Sequence, residues 1–169
     1  MENGRAARLS RTVRSIEMTL QDKLQQDLND ALRKGDKLRL SVIRMVRSSI
    51  NYAEIAQQKK LDDPGVIEVL AKEAKQRRES IAEFTKGNRP DLVSKEEAEL
   101  AIVMEYLPKQ MSREEIVALA RQVAQEVGAK GPAEKGKLMS KLMPQLKGKA
   151  DGKLVNEVVM EILAGQGAG

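Results

Sequence analysis

The residues that point to a chemistry in this sequence are lysines, and seven of them lie between positions 130 and 153. Glu134 and Asp151 are the acidic residues of that stretch, so its net charge is +5. A dense group of lysines attracts polyanions, because each contact with a phosphate releases condensed counterions. Lysines on short helices also commonly form a solvated surface with no ligand, so both interpretations remain open at this point.

Aromatic residues, which would stack on unpaired bases, are scarce. The chain has Tyr52, Phe84 and Tyr106 and no tryptophan, and none of the three lies in the lysine-rich stretch. The composition therefore argues against a protein that binds single strands by stacking. Recognition of a folded RNA through its shape and its phosphates stays open.

A second group of basic residues lies in the first half of the chain. Residues 72–79 are densely charged, and their four-apart pairs are typical of a solvated helix surface. The alternative is a binding ridge for RNA or a protein partner, formed by Lys75 and Arg78 with Arg44 and Arg47 of an earlier helix. Spacing alone does not choose between these interpretations.

Side chains for acid–base, nucleophilic or metal chemistry are few. The chain has no histidine and no cysteine, which removes the usual proton carrier near neutral pH, the thiolate nucleophile and the common zinc ligands. Glu96, Glu97 and Glu99 form a carboxylate cluster, but they fall near a predicted helix start, where acids offset unpaired amide groups. The sequence therefore predicts no catalytic residue, no cofactor and no metal site.

One motif resembles a nucleotide-binding loop. Residues 131–138 match the first seven positions of the phosphate-loop pattern, but Leu138 replaces the serine or threonine that would hold magnesium. The segment also follows a predicted helix rather than a strand, and Pro132 removes one backbone donor. These departures favour a helix start over a nucleotide site.

The elements that position these residues are predicted to be helices throughout. Apolar residues recur at helical spacing, and each segment is bounded by caps, glycines or prolines. Pro144 is expected to end or kink the sixth helix, and we predict no strand. The predicted helix starts are Thr19, Asp36, Asp62–Pro64, the capping boxes at Ser94 and Ser112, Pro132, and Asp151–Gly152.

These seven helices predict an all-α fold that divides near residues 107–111. A four-helix N-terminal lobe is expected over residues 18–108, and a small three-helix C-terminal lobe over residues 112–164. A lobe of about 55 residues buries little apolar surface, so the smaller lobe requires good packing.

The first seventeen residues form an Arg-rich leader, with four arginines against Glu2 and Glu17. Three explanations compete: an organelle transit peptide, a basic arm for nucleic acid, or an upstream start before a natural beginning at Met18. We favour the third, with residues 1–17 disordered or an upstream extension, because Thr19 directly after Met18 is a good helix cap.

Composition also bears on location. The absence of cysteine favours a reducing compartment. No run approaches the roughly 18 consecutive apolar residues that a membrane span needs. We therefore expect a cytoplasmic protein with no membrane partner.

Several unusual strings, in order along the chain, resemble a known family. The most specific are GKLM at residues 136–139 and LMPQLKGKADGKLVNE at residues 142–157. Supporting strings are RMVRSSIN at 44–51, KEAKQRRES at 72–80 and EYLP at 105–108. Together they resemble the YqeY family from about Met18 to Leu163.

The resemblance implies an all-helical protein whose small C-terminal lobe is similar to the tail domain of the B subunit of the glutamine-dependent aspartyl/glutamyl-tRNA amidotransferase. In that carbon–nitrogen ligase the tail helps to hold the tRNA, and the catalytic sites lie elsewhere. The resemblance therefore implies tRNA binding, or association with an amidotransferase or an aminoacyl-tRNA synthetase, rather than catalysis. One departure is Glu134-Lys135, where the family often has Asp-Met.

The charge pattern and the family resemblance both point to the C-terminal lobe as the binding region. We therefore predict a tRNA-binding or amidotransferase-related accessory protein that has no catalytic site of its own. The lysines would contact phosphates, the glycines would allow close approach, and the ridge described above would be secondary. The predicted RNA-binding residues are Lys137, Lys141, Lys147, Lys149 and Lys153 with Gly136, Gly148 and Gly152.

Two alternatives remain open. The first is a protein-interaction adaptor that docks through the apolar edges of its helices, with Met139, Met143 and Met160 as adaptable contacts. The second is an enzyme that forms carbon–nitrogen bonds by itself, against which the inventory of side chains argues.

Overall fold

A computed structural model describes residues 17–166, and the helices follow one another with short connections. These residues contain seven α-helices, a 3-10 turn at Pro132–Glu134 and no strand, which confirms the all-α prediction for them. None of their helices has the length and hydropathy of a membrane span. The Arg-rich leader lies outside the described residues except for Glu17. The helices are α1 Leu20–Lys34, α2 Lys37–Gln57, α3 Asp63–Lys86, α4 Pro90–Met104, α5 Arg113–Val127, α6 Lys135–Leu146 and α7 Gly152–Gln166.

Capping boxes fix two helix starts where the sequence predicts them. At α1, the Thr19 hydroxyl accepts the N–H of Asp22, and the Asp22 carboxylate accepts the N–H of Thr19, both at 3.1 Å. Ser112 and Glu115 make the same reciprocal pair at α5. Each box satisfies two amide groups that have no partner inside the helix, so both starts are defined locally.

The start of α4 differs from the prediction, because the helix begins at Pro90 and not at Ser94. Proline suits the first helical position, where its missing N–H is not needed and its fixed φ matches the helix. The carbonyl of Arg89 then accepts the N–H of Val93 at 3.0 Å. The predicted capping box at Ser94 is therefore wrong, and Ser94 lies inside the helix.

Pro144 does not end α6, which continues to Leu146. A proline inside a helix removes the hydrogen bond from its own nitrogen to the carbonyl four residues earlier. Here that loss falls in the last turn, where few further bonds depend on it. Leu142 and Leu146 are both buried in the same core, and their packing favours the extra turn.

The buried apolar side chains form two separate clusters. The first is built by α1 to α4 with the residues that follow α2 and α4, and fully buried members are Leu24, Ile43, Leu70 and Val103. The second is built by α5 to α7 with the segment after α5, and fully buried members are Ile116, Leu138, Leu142 and Leu163. No buried residue belongs to both clusters.

A buried ionic network joins α2, α3 and α4. Arg77, which is 5% exposed, donates to Glu73 Oε2 at 2.7 Å, and its Nη2 lies 3.4 Å from Glu99 Oε2. Ser49 of α2 donates to the other oxygen of Glu73 at 2.7 Å. Glu99 therefore does not offset a helix start, as the sequence suggested, but neutralises a buried guanidinium. Since unpaired buried charges are costly, these groups fix the packing of three helices.

Replacing Arg77 with methionine should lower the free energy of unfolding by about 3–5 kcal/mol, because two buried carboxylates would lose the buried cation that they share. Urea unfolding followed by circular dichroism measures this change. The triple variant Arg77→Met, Glu73→Gln, Glu99→Gln should regain part of the loss, because neutral amides are cheaper to bury than carboxylates. A triple variant less stable than the single one would contradict this account.

Glu54 is another buried acid, near the end of α2, with 7% of its surface exposed. Its Oε1 accepts the side-chain amide of Gln21 and the N–H of Leu61, both at 3.0 Å, and its Oε2 accepts Lys60 Nζ at 2.7 Å. These hydrogen bonds, with that from Lys60 the largest, lower the pKa of Glu54 to about 2. One carboxylate thus joins α1, α2 and the segment before α3.

Acid should remove this stabilisation. Because the pKa of Glu54 falls from 4.5 to about 2 on folding, its contribution is present above pH 4.5 and is lost as the pH falls towards 2. We expect the difference in unfolding free energy between wild type and Glu54→Gln to be large near neutral pH and to shrink below about pH 4. Glu83→Gln, at an exposed position of α3, is the matched control. A constant difference across this range would argue against the role given to Glu54.

Candidate functional site

The connection between α6 and α7 packs against the linker that follows α4. Gly148 in this connection is buried and has a φ of 71°, in the left-handed region that favours glycine. Its carbonyl accepts the side-chain amide of Gln110 at 2.8 Å, and the same amide donates to the carbonyl of Pro108 at 2.8 Å. The N–H of Met111 donates to the carbonyl of Lys149 at 2.8 Å. The Gln110 side chain and one backbone hydrogen bond therefore hold the linker and the connection together.

Gly148 also lies directly against α3. A Cβ added to it would overlap Cγ2 of Ile67. Gly136 and Gly152 differ, because nothing lies within 4 Å of a Cβ added at either position. Packing inside the protein and the left-handed backbone therefore explain why position 148 is glycine, without any ligand. Close approach of a ligand stays a prediction for Gly136 and Gly152.

Two ion pairs link α3 to the ends of the same connection. Arg78 Nη1 lies 3.4 Å from Asp151 Oδ2, while Asp151 Oδ1 accepts the N–H of Lys153 at 2.7 Å in the first turn of α7. Lys147 Nζ pairs with Glu68 of α3. Arg78 and Lys147 therefore already have carboxylate partners, which reduces the charge that they offer to a ligand.

These contacts leave an open cleft of about 400 Å³ between α3 and the α6–α7 connection. Its walls combine aliphatic side chains with charged ones. Basic side chains border it, chiefly from α3. The principal residues of its walls are Ala71, Lys72, Lys75, Arg78, Met143 and Lys147.

The five lysines predicted to contact RNA are all exposed. Lys137 and Lys141 lie one turn apart on α6, and both are exposed although the leucine that follows each of them is buried. Lys149 lies in the connection and Lys153 in the first turn of α7. Within residues 17–166, Lys147 is the one member of the five that has an ion-pair partner.

The fold divides the second predicted group of basic residues. Lys75 and Arg78 border the cleft beside Lys147. Arg47 instead lines a separate cavity of about 220 Å³ between α1 and α2, and Arg44 is exposed on α2. The structure therefore brings part of the predicted ridge to the lysine-rich end and places Arg47 elsewhere.

The methionines considered as adaptable contacts have different surroundings. Met139 is partly buried and packs against the second core. Met143 and Met160 are 37% and 41% exposed. Met143 lies in the wall of the cleft, so it is the member of this set that the fold places at a concave surface.

The partial phosphate-loop pattern forms the 3-10 turn and the first turn of α6, and it follows helix α5. The N–H of Lys130, just before this segment, donates to the carboxylate of Glu134, which places a negative charge beside the start of the segment. Within the described part of the chain, no group of three or more acidic side chains is arranged to hold a metal ion.

The sequence did not predict Ile67, Glu68 or Gln110 as residues of this region. Ile67 has the pattern of an ordinary apolar helix residue, and Gln110 falls in the predicted linker. Gln110 and Gly148 are 38 positions apart, and periodicity carries no information about contacts at such separation. Gly148, already predicted from the sequence as a binding residue, is the local signal that marks this connection.

Comparison with known proteins gives consistent results. Residues 21–163 match the family model described as Yqey-like protein. "Altered inheritance of mitochondria protein 41, mitochondrial" of Kluyveromyces lactis is 41% identical over 114 residues, which cover 65% of this chain and 61% of the relative. The protein of the same name from Lachancea thermotolerans is 44% identical over 85 residues, which cover 50% of this chain and 46% of the relative. The chain thus spans about half to three fifths of the length of these relatives.

The predicted cytoplasmic location is contradicted, because both relatives are named as mitochondrial proteins. The absence of cysteine argues against a disulfide framework, but it does not distinguish one reducing compartment from another. An organelle address would be expected in a leader, and the Arg-rich leader lies outside the described residues.

Replacing Gly148 with alanine should destabilise the protein by about 2–4 kcal/mol, from the left-handed backbone together with overpacking against Ile67. Urea unfolding measures this loss. Gly152→Ala is the matched control in the same region, and we expect it to change stability by less than about 1 kcal/mol. Equal effects of the two variants would show that the contact with Ile67 is unimportant.

Proposed function

Because the chain belongs to the YqeY-like family, whose model matches residues 21–163, we propose that it binds folded tRNA through the lysines of α6 and of the α6–α7 connection. The observation that carries this proposal is the exposure of Lys137, Lys141, Lys149 and Lys153 without an ion-pair partner among residues 17–166. Each of these ammonium groups is available to an anion without the cost of breaking an existing pair.

The arrangement suits the phosphates of a folded RNA better than its bases. Lysine is a compact cation on a flexible stem, so it contacts phosphate without demanding a particular base. No aromatic residue borders the cleft or lies in residues 130–153, so stacking of unpaired bases has no platform there. Recognition would then depend on the spacing of phosphates, as in other proteins that read RNA by shape.

In this proposal the protein is an accessory factor rather than a catalyst. The similarity of its lysine-rich strings to the tail domain of an amidotransferase B subunit supports a role in holding tRNA for an enzyme. An amidotransferase and an aminoacyl-tRNA synthetase are the two candidate partners.

We further propose that the chain works as two units, a four-helix lobe over residues 18–108 and a three-helix lobe over residues 112–164. The two hydrophobic clusters support this division, because each is built from helices consecutive in the sequence. The RNA-binding lysines would then lie on the smaller lobe, and α3 of the larger lobe would border them.

Replacing Lys137 and Lys141 with glutamine should weaken binding of bulk tRNA and flatten its salt dependence. Each lost phosphate contact should reduce the slope of log K against log salt by roughly 0.7–0.9, so the double variant should lose about 1.5. Fluorescence anisotropy of labelled tRNA, measured on the full chain across a salt series, tests this.

The matched control is Lys34→Gln with Lys59→Gln, which removes the same charge from exposed positions at the ends of α1 and α2. The control should retain the wild-type slope. Equal losses in both double variants would mean that net charge alone drives binding. Absence of tRNA binding by the wild type at low salt would refute the proposal. It would favour the alternative of a protein-interaction adaptor.

A further inference from the structure

The cleft beside α3 has a charge pattern that the proposed RNA contacts do not explain. Lys72 and Lys75 stand three positions apart on its α3 side, and both are exposed. Within residues 17–166 Lys72 has no ion-pair partner, and Lys75 Nζ lies 3.9 Å from Glu79, at a surface where such a pair contributes little. The acids that border the cleft, Glu68 and Asp151, already pair with cations. The cleft therefore presents two available positive charges.

Aliphatic side chains form part of the cleft wall, beside the charged ones. Ala71, Leu107, Leu146 and Ala150 contribute to its lining, and Met143 extends into it with 37% of its surface exposed. A flexible thioether adapts to the shape of an aliphatic side chain. No aromatic ring borders the cleft, so an unstacked base has no favourable surface there.

The dimensions of the cleft suit a short peptide segment. The α3 residues along it run from Glu68 to Arg78, which corresponds to about 15 Å of helix. An extended chain covers that distance with about four or five residues. A volume of about 400 Å³ is within the usual range for ligand sites, which commonly lie between packed units of a fold.

We propose that this cleft docks a short acidic segment of a partner protein. An aliphatic side chain of that segment packs between Ala71 and Met143, and its carboxylates pair with Lys72 and Lys75. This inference goes beyond tRNA binding and does not depend on it, because its residues differ from the lysines tested in the salt series. The protein would then hold its tRNA and its protein partner at adjacent surfaces.

Selection from a displayed library of random peptides about twelve residues long, presented to the full chain, tests the proposal. We expect enriched sequences to combine acidic residues with a leucine-like anchor. With the double charge reversal Lys72→Glu, Lys75→Glu, the residues that flank the anchor in the enriched peptides should change from acidic to basic, because charge complementarity sets specificity. The aliphatic anchor itself should be kept. A consensus that ignores this reversal, or no enrichment, would overturn the inference.

A second variant tests the cleft independently of its charge. Ala71→Phe should fill the space and weaken the enriched wild-type peptide by about tenfold or more in fluorescence polarisation. Lys137→Gln with Lys141→Gln should leave peptide binding within about twofold. If Ala71→Phe instead weakens tRNA and leaves the peptide unaffected, the cleft belongs to the RNA surface and the peptide site is excluded. Urea unfolding of Ala71→Phe verifies that it is folded.

Discussion

The packing of Gly148 against Ile67 is the constraint on which the arrangement of this protein depends. A side chain at position 148 would overlap α3, and its backbone conformation is one that residues with a side chain rarely adopt. Because the glycine fits, Gln110 can reach its carbonyl, and the second hydrophobic core is held beside the first. The cleft and the positions of Lys147 and Asp151 follow from this contact.

Charge has two different roles in the molecule, and burial separates them. Arg77, Glu73 and Glu99 are almost inaccessible and partner one another, so they fix helix packing and offer nothing to a ligand. Lys72 and Lys137 are exposed and have no ion-pair partner within the described residues. Surface ion pairs contribute little to stability, so lysines of this kind can be used for binding at small cost to the fold.

Most of the secondary structure could be read from the sequence because its determinants are local. The caps at Thr19 and Ser112 and the glycines that end α1 and α5 act within one turn, and the structure has them where they were expected. The two errors arose where a local rule competed with another influence. Pro90 began α4 ahead of the capping signal at Ser94, and the packing of Leu146 carried α6 past Pro144.

The sequence by itself determined that the fold is helical, that the lysines concentrate near the C-terminal end, and that histidine and cysteine chemistry is absent. The tertiary structure decided which charges remain available. It paired Lys147 with Glu68 and Arg78 with Asp151, buried Glu99, and placed Lys75 and Arg47 at different cavities. Those outcomes depend on contacts between residues far apart in the chain. A periodic sequence pattern predicts which face of a helix is buried, but it does not predict which other helix covers that face.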